Sequence, residues 1–464
     1  MRAYLRSLNP SLPRDVWVLQ VGGLLNAFGN GIVVPFLIIY LHNVRGVSLS
    51  AAGAVAAVNS AGALVSGFVA GTLSDRIGPR RVLVGALLVM AVSISFFPLI
   101  RTAWDAFALN LALGFGSGAF WPSQSSLLTS LTGTGRRHAA FGLQRVSMNL
   151  GIALGGLTGG FIASTSHPHT FTVLFLLDAV TFVAYVVVLT ALPSPKPLHA
   201  HEHADERGTY AGVVRDRVFM RVVLLNAVFM AAAMSIMVEL LPPFAKNHAG
   251  VNERGIGILW FIPSLVITVA QLPVTKLVEG RRRMRLLAAM GVIWAASELI
   301  VLVAGLRFEA AAATAVMGFA VALFAVGECL HGAIHAPLSA DLARPGSLGR
   351  YLAFSSQSWQ VGWIVGPGLG GVVLQYAPDA LWVIGATACL VNALFARALE
   401  PRLPARVRAT PAYGSVAGVA GTMENMVLAT DDPLSTSAEP APHTAATAPH
   451  DGDGRRRAAA HETR

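Results

Sequence analysis

Twelve runs of predominantly apolar residues follow one another along this chain of 464 residues. A helix needs about 20 such residues to cross the hydrocarbon core of a bilayer, and a spanning helix satisfies its own backbone hydrogen bonds. The runs therefore predict an all-α integral membrane protein with twelve transmembrane helices. The predicted spans lie near residues 16–41, 50–72, 82–101, 105–131, 139–165, 171–192, 218–241, 255–278, 286–306, 310–341, 350–376 and 380–399.

Basic residues lie mostly on one side of these spans. The N-terminus, the even-numbered connections and the residues after the last span are rich in Lys and Arg. The odd-numbered connections contain only Arg45, Arg101, Lys246, Arg254 and Arg307. Because basic loops are retained in the cytoplasm, both termini are expected there, in a multi-pass protein of the cell membrane. Topology thus explains the net charge of +10, and no nucleic-acid partner is predicted because no basic patch lies beside an aromatic surface.

Two segments without apolar runs divide the chain. Residues 193–215 are rich in proline, histidine and charge, and are predicted to form a cytoplasmic linker. From residue 403 onward large apolar side chains are few, so residues 403–464 are predicted to form a disordered cytoplasmic tail. The membrane part is thereby divided into an N-terminal six-helix bundle at 1–192 and a C-terminal six-helix bundle at 216–402.

A glycine pattern recurs in the fifth and eleventh spans, as GIALGGLTGG at 151–160 and GWIVGPGLGG at 362–371. Small residues at this spacing let helices pack with their backbones close together, and glycine or proline within a span permits bending. The repeat predicts two pseudo-symmetric bundles around a shared site, which is the plan of a transporter. The hinge and packing residues predicted from it are Gly151, Gly155, Gly159, Gly160, Gly362, Gly366, Pro367, Gly370 and Gly371.

A short charged run, GTLSDRIGPRR at 71–81, separates the second and third spans. Its glycines allow close backbone approach, and its arginines can pair with Asp75 or with carbonyl groups at a helix end. The run closely resembles the loop between helices 2 and 3 of the major facilitator superfamily, whose pattern is G-x-L-x-D-R-x-G-R-R. The resemblance implies the two-bundle fold of that superfamily and a cytoplasmic latch formed by Gly71, Asp75, Arg76, Gly78, Arg80 and Arg81.

Within this superfamily the chain most resembles bacterial drug:proton antiporters of the multidrug efflux type. The eleventh span matches their signature G-x-x-x-G-P-x-x-G-G, which in those proteins lies in helix 5. The fifth span of this chain has Gly156 where the signature has proline, and Asn110 stands where the family often has an arginine in helix 4. The resemblance therefore implies antiport, while glycine packing with no bearing on the direction of transport is the alternative.

Ionisable residues inside spans usually face a cavity or a partner, because burial in hydrocarbon is costly. Glu328, His331 and His335 share one face of the tenth span. Glu328 is predicted to take up and release the coupled proton, and the two histidines are predicted to modulate that step or to meet substrate. A structural hydrogen bond is the alternative for Glu328. Glu328 and His331 also form half of a di-iron motif, but the second copy is absent from the spans, and no metal or other cofactor is predicted.

Polar and aromatic residues on the predicted inner helices indicate where a small amphipathic substrate would bind. Arg145 is assigned either to this cavity or to the membrane interface, which its side chain could reach by snorkelling. The candidates are Asn26, Asn30, Trp121, Gln124, Arg145, Gln357, Trp359 and Gln360.

Together these features predict a monomeric secondary active transporter that works by alternating access and exports small amphipathic compounds in exchange for protons. Proton-coupled uptake of a sugar or another small nutrient is the alternative with the same fold, and a non-transporting membrane sensor is an alternative of another class. A membrane enzyme is not predicted, since no H-E-x-x-H motif occurs in the chain.

Overall fold

The computed structural model describes residues 12–132, 136–193, 210–344 and 347–410. Twelve long helices, numbered here in chain order, make up most of this part of the chain. They are α1 (Arg14–Ile39, continued by a π-helical turn at Tyr40–Val44), α2 (Leu49–Ile77), α3 (Pro79–Ser95), α4 (Ala103–Leu131), α5 (Arg137–Ile162), α6 (His169–Thr190), α7 (Arg217–His248), α8 (Glu253–Leu277), α9 (Arg283–Arg307), α10 (Ala310–Leu342), α11 (Leu348–Tyr376) and α12 (Pro378–Leu399). Each predicted span coincides with one of them, so the predicted all-α fold with twelve long helices is confirmed.

Within the described ranges, nine of these helices are long and apolar enough to cross a membrane by composition alone, and α4, α5 and α11 are not among them. These three helices carry glycines and polar side chains along their length. Each packs against helices of the bundles, α4 against α2 and α3, α5 against α1 and α8, and α11 against α2 and α7. Their polar residues can therefore face other helices instead of lipid. Polar groups within a membrane are tolerated when they face protein.

Local sequence signals explain where several helices begin. Asp105 and Thr102 form a capping box at the start of α4. Asp216 accepts hydrogen bonds from two backbone N–H groups at the start of α7, and Asn252 does the same for one at the start of α8. Gly78, with a φ of 91°, ends α2 and lets α3 begin at the next residue. A residue with a side chain would be strained in that conformation.

Helix α7 is a composite element. An α-helix at Arg217–Phe229 is followed by two π-helical stretches, Met230–Met234 and Ile236–Leu240, and by a final α-helix at Leu241–His248. π-helical turns are rare and widen a helix locally, and they often lie next to functional sites. The widened part of α7 faces the glycines of α11.

The helices pack in two matching sets. In the first half α1 packs against α5 and α6, α2 against α4, and α3 against α4 and α6. In the second half α7 packs against α11 and α12, α8 against α10, and α9 against α10 and α12, which is the same arrangement six helices later. The two halves meet through α2 with α11 and through α5 with α8, and this pair of contacts is also related by the same shift. The packing thus has the internal pseudo-symmetry that the glycine repeat predicted.

The predicted boundary of the C-terminal tail is wrong by several residues. Residues 403–410 fold back, with Thr410 and Arg408 beside the connection between α8 and α9, and Leu403 and Val407 are buried. Backbone hydrogen bonds join Thr410 to Arg281 at 3.0 Å and Arg283 to Arg408 at 2.8 Å. The low average hydrophobicity of this stretch did not indicate that its two apolar residues, Leu403 and Val407, would be buried. Residues 411–464 and most of the predicted linker, 194–209, lie outside the described residues, and a short helix at Tyr210–Val214 occupies the end of that linker.

Candidate functional site

The repeated glycines have equivalent positions in the two halves. Gly151, Gly155 and Gly159 face α1, where added Cβ atoms would collide with its backbone or side chains. Gly362, Gly366 and Gly370 face α7 in the same way. The close approach of α5 to α1 and of α11 to α7 therefore requires glycine at these positions. Whether the segments also bend during transport stays a prediction.

The last glycine of each repeat faces the opposite half. A Cβ atom on Gly160 would come within 2.9 Å of Gly257 Cα on α8, and one on Gly371 would come within 2.9 Å of Gly53 Cα on α2. Added side chains at either site would force backbones apart, because the atoms in the way belong to the main chain. The two halves thus touch at two symmetry-related glycine pairs.

Polar contacts also join the two halves at one face of the molecule. This face carries the connections after α1, α3, α5, α7, α9 and α11 and is called here the odd-connection face. Ser50 donates to Gln375 Oε1 through its hydroxyl group at 2.6 Å. Thr165 donates to Glu253 Oε1 at 2.8 Å through its hydroxyl group. Asn43 and Asn247 are joined by a 2.7 Å hydrogen bond. Each contact joins the first half to the second, so this face is closed where these residues lie.

A cavity of about 240 Å³ lies between the middle portions of α1, α4 and α5. Four of the predicted substrate residues line it, namely Asn26, Asn30, Trp121 and Gln124. The other four do not line this cavity. Gln357, Trp359 and Gln360 belong to α11 in the second half, and Arg145 lies at the interface between the halves.

The polar residues of the cavity are only partly paired with one another. Gln144 Nε2 donates to Gln124 Oε1 at 2.9 Å, and Gln124 Nε2 donates to the Tyr185 hydroxyl group at 2.9 Å. By contrast, Gln20 Oε1 and Asn26 Oδ1 are buried and have no hydrogen-bond partner. Buried polar atoms without partners are rare in proteins, and each needs an explanation.

Trp260 of α8 is a cavity residue that the sequence did not single out. Its indole ring contributes to the lining from the second half and packs directly on Gly156 of α5, where a Cβ atom would lie 2.5 Å from Cδ1 of the ring. The departure from the antiporter signature at Gly156 was the available signal. Glycine at position 156 leaves space for the indole ring, whereas the ring of a proline there would occupy that space.

Arg145 joins the two halves inside the membrane region. It lies about two helical turns from the start of α5, and its Nη2 donates to Gln271 Oε1 of α8 at 2.8 Å. Gln271 Nε2 in turn donates to the backbone carbonyl of Cys329 on α10 at 3.3 Å. The guanidinium group of Arg145 also lies beside Gly332 of α10, where an added Cβ atom would be 3.1 Å from Nη2, and Glu328 is one helical turn before Gly332. Arg145 and Glu328 were predicted from the sequence, whereas Gln271, which connects Arg145 to the backbone of α10, was not.

The predicted histidines belong to a separate polar network in the second half. His331 Nε2 and Asn226 Oδ1 of α7 are 2.6 Å apart, and Asn226 Nδ2 donates to Ser358 Oγ of α11 at 2.7 Å. His335 Nε2 lies 2.9 Å from Ser355 Oγ of α11. The two imidazole rings stack with their centroids 5.0 Å apart, and Trp359 packs edge-on against His331 at 5.2 Å. The histidines thus connect α7, α10 and α11, and the predicted cavity residue Trp359 packs in this network.

The charged run between α2 and α3 forms a tight corner. Arg76 and Arg81 are exposed, and Arg80 is half-buried. Gly78 has the left-handed conformation described above, and Gly71 has open space beside it. The side chain of Asp75 lies outside the described residues. A latch role for Gly71, Asp75, Arg76, Gly78, Arg80 and Arg81 stays a prediction.

The second half contains a counterpart of this corner. Gly280, with a φ of 68°, precedes Arg282 and Arg283 at the spacing by which Gly78 precedes Arg80 and Arg81. The side chain of Arg283 is only 2% exposed and forms a 2.5 Å ion pair with Asp341 at the end of α10. Arg282 pairs with Glu400 at 2.8 Å. This corner is thereby tied both to α10 and to the segment after α12.

Two pseudo-symmetric six-helix halves that meet through α2 with α11 and through α5 with α8 are the plan of a secondary transporter. The family model described as Major Facilitator Superfamily matches residues 19–327. The chain belongs to this family. Its members are transporters, so the predictions of the major facilitator fold and of a protein that is not an enzyme are both confirmed.

Relatives and solved structures agree with this assignment. The chain is 26% identical over 381 residues to an uncharacterized MFS-type transporter, YttB of Bacillus subtilis, covering 79% of this chain and 89% of the relative. It is 22% identical over 362 residues to the multidrug resistance protein MdtH of Aeromonas salmonicida, covering 78% and 88%. The structure of the nucleoside transporter NupG superposes with a TM-score of 0.71 at 13% identity, covering 83% of this chain and 100% of that one, which supports the fold alone.

Proposed function

We propose that this transporter exports small amphipathic compounds in exchange for protons by alternating access, with Glu328 as the coupling carboxyl group. The observation that carries the proposal is the position of Glu328. It lies on α10 of the second half, one helical turn before Gly332, and the guanidinium group of Arg145 from the first half lies beside Gly332. A carboxyl group at this junction can link proton binding to the contact between the halves.

Arg145 is held to the second half by its hydrogen bond to the Gln271 side chain at 2.8 Å. The negative charge of a deprotonated Glu328, one helical turn before Gly332 on α10, would attract the guanidinium group that lies beside Gly332. Protonation of Glu328 would remove the charge, while the hydrogen bond to Gln271 would remain. The tie between α5 and the pair α8 and α10 would then be weaker, and the halves could separate more readily. Deprotonation on the other side of the membrane would restore it.

The orientation of the chain is part of the proposal. If the basic connections face the cytoplasm, the odd-connection face is the outer one, and the contacts of Ser50 with Gln375 and of Thr165 with Glu253 close the outer side. The structure then corresponds to an inward-facing state, with both termini in the cytoplasm. In the outward-facing state the corner at 71–81 would act as the cytoplasmic latch, while the segment 362–371 would flex.

Export is favoured over uptake by the relatives whose names state a role. The chain aligns with 88% of the multidrug resistance protein MdtH of Aeromonas salmonicida. It also aligns with 46% of the quinolone resistance protein NorA of Staphylococcus aureus, over 39% of this chain. The glycine and proline signature at 362–371 resembles the antiporter pattern. These similarities support antiport as the working mode.

The proposal is tested with the purified full-length protein in liposomes that contain a pH-sensitive dye and carry an imposed pH gradient. Lipophilic cations, neutral aromatic amides and sugars are added in turn, and substrate-dependent proton flux is recorded. We expect flux with an amphipathic compound, directed opposite to substrate movement, and its loss in Glu328→Gln. Glu309→Gln is the matched control, because Glu309 is exposed at the start of the same helix.

Normal flux in Glu328→Gln would remove the coupling role of Glu328. Movement of protons and substrate in the same direction would favour proton-coupled uptake. No proton flux with any compound would contradict a transporter of these substrate classes and favour the sensor alternative.

A further inference from the structure

We infer that the cavity between α1, α4 and α5 is a subsite for an uncharged, hydrogen-bonding ligand with a flat apolar body. The inference rests on the proposed function, since it identifies the class of compound that this transporter would carry. Among the described residues that line the cavity none is ionisable. The polar lining consists of amides, one hydroxyl group and indole nitrogens.

The unpaired atoms in the lining indicate hydrogen bonding to a ligand. Gln20 and Asn26 are 3% and 6% exposed, and their Oε1 and Oδ1 atoms have no partner among the described residues. Trp260 Nε1 is likewise buried without a partner. Buried polar groups normally form hydrogen bonds, and those that do not are available to a bound molecule. A hydroxyl or carboxamide group on the ligand could donate to one of the two amide oxygens or accept from the Trp260 N–H group.

The charges near the cavity are directed elsewhere. Arg145 donates to Gln271 across the interface and lies beside Gly332 of α10. Asp178 of α6 lies against Gly29 of α1 and accepts a hydrogen bond from Thr181, and it does not line the cavity. Burying a cation without a facing carboxylate is strongly unfavourable. The lining therefore disfavours permanent cations and favours neutral compounds.

The remaining walls are apolar and aromatic. Phe120, Trp121 and Trp260 contribute rings, and Met90 and Met148 contribute adaptable thioether side chains. The volume of about 240 Å³ exceeds the ~150 Å³ cavity that holds a benzene molecule. A ligand with a single ring or two fused rings and one polar group matches this space.

Four naphthalene compounds with the same ring system test the inference. They are 1-naphthaleneacetamide, which is neutral and polar, 1-naphthaleneacetate, an anion, (1-naphthylmethyl)trimethylammonium, a cation, and 1-ethylnaphthalene, which is apolar. Equilibrium binding to the full-length protein in lipid nanodiscs is measured without a pH gradient, so the result does not depend on proton coupling. We expect the amide to bind at least about tenfold more tightly than either ion.

Substitutions then locate the polar contact. Gln20→Leu and Asn26→Leu are expected to weaken binding of the amide by about tenfold and to leave binding of 1-ethylnaphthalene unchanged, which also shows that the cavity is intact. Gln357→Leu is the matched control, because Gln357 Oε1 is also buried and unpaired but Gln357 does not line the cavity. Gly23→Ala is a second variant, in which the new methyl group would lie 3.0 Å from Gln124 Nε2. This methyl group should weaken the binding of all four compounds.

Three results would overturn the inference. They are equal or tighter binding of the cation, no binding of the amide, and amide binding that neither Gln20→Leu nor Asn26→Leu changes. Each would leave the proton-coupling proposal intact, because that proposal is judged by flux in Glu328→Gln.

Discussion

Arg145 Nη2 on α5 donates a 2.8 Å hydrogen bond to Gln271 Oε1 on α8, and this bond joins the two halves of the protein. The same amide group then donates to the carbonyl oxygen of Cys329 on α10 at 3.3 Å. One glutamine therefore connects the first half to two helices of the second. Glu328 directly precedes Cys329 in the sequence. A change in the protonation of the Glu328 carboxyl group therefore takes place close to the atoms that join the two halves.

Loss of this connection is predicted to expose Cys329, which is fully buried. In a Cys389→Ala background Cys329 is the remaining cysteine of the chain. Arg145→Gln and Gln271→Leu should each increase its rate of maleimide labelling several-fold, because α5 is no longer held to α8. Thr275→Val is the control, since it removes two hydrogen bonds between Thr275 and Gln271 within α8 and none between the halves. Equal labelling rates in all variants would show that the bond does not hold the interface.

Gly371→Ala is predicted to open the odd-connection face. The added methyl group would lie 2.9 Å from both Leu49 O and Gly53 Cα, so α2 and α11 must separate, and overpacking of this kind costs about 1–3 kcal/mol. The readout is disulfide formation between Ser50→Cys and Gln375→Cys, whose native side chains are hydrogen-bonded across this face, in a background without the native cysteines. The yield of this disulfide should be lower when Gly371→Ala is added than in the same background without it.

Gly368→Ala serves as its control on the same helix. There the new methyl group would lie 3.5 Å from Ala57 Cβ, an ordinary contact. An undiminished disulfide yield in Gly371→Ala, or an equal loss in both variants, would contradict the role given to the glycine pair.

Asn226→Leu is predicted to lower the stability of the second half by about 1–3 kcal/mol, because it leaves a buried imidazole N–H group without a partner. It also removes one of the two hydrogen bonds of the buried Ser358 hydroxyl group, which still donates to the Ser355 carbonyl oxygen. Asn226 bonds His331 and Ser358 at 2.6 and 2.7 Å. Thermal unfolding in detergent measures the effect. Ser356→Ala, an exposed position on α11, should leave the midpoint unchanged. A midpoint for Asn226→Leu equal to that of the wild type would mean that the network adds no stability.

Two truncations test the revised boundary of the C-terminal segment. Removal of residues 411–464 is expected to leave the unfolding midpoint in detergent unchanged. Removal of residues 400–464 should lower it by several degrees, because Glu400 no longer pairs with Arg282 and Arg285 and the burial of Leu403 and Val407 is lost. Equal midpoints for the two truncated proteins would place residues 400–410 outside the stabilised fold.

The sequence alone determined the elements of this fold and their symmetry. Apolar length predicts a membrane helix almost regardless of context, since hydrocarbon permits few other structures. The glycine repeat at 151–160 and 362–371 likewise predicted two related halves, because close helix packing requires small residues at fixed spacing.

Only the tertiary structure decided which polar residues meet. Spacing placed Glu328, His331 and His335 on one helix face. It could not show that the histidines bond to Asn226 and Ser355, or that Arg145 lies beside Gly332, one turn after Glu328. Gln271 and Trp260 stood out in no motif, and each matters because of a residue more than one hundred positions away. Such contacts depend on how helices from different halves are rotated and stacked, and a single sequence does not specify those angles.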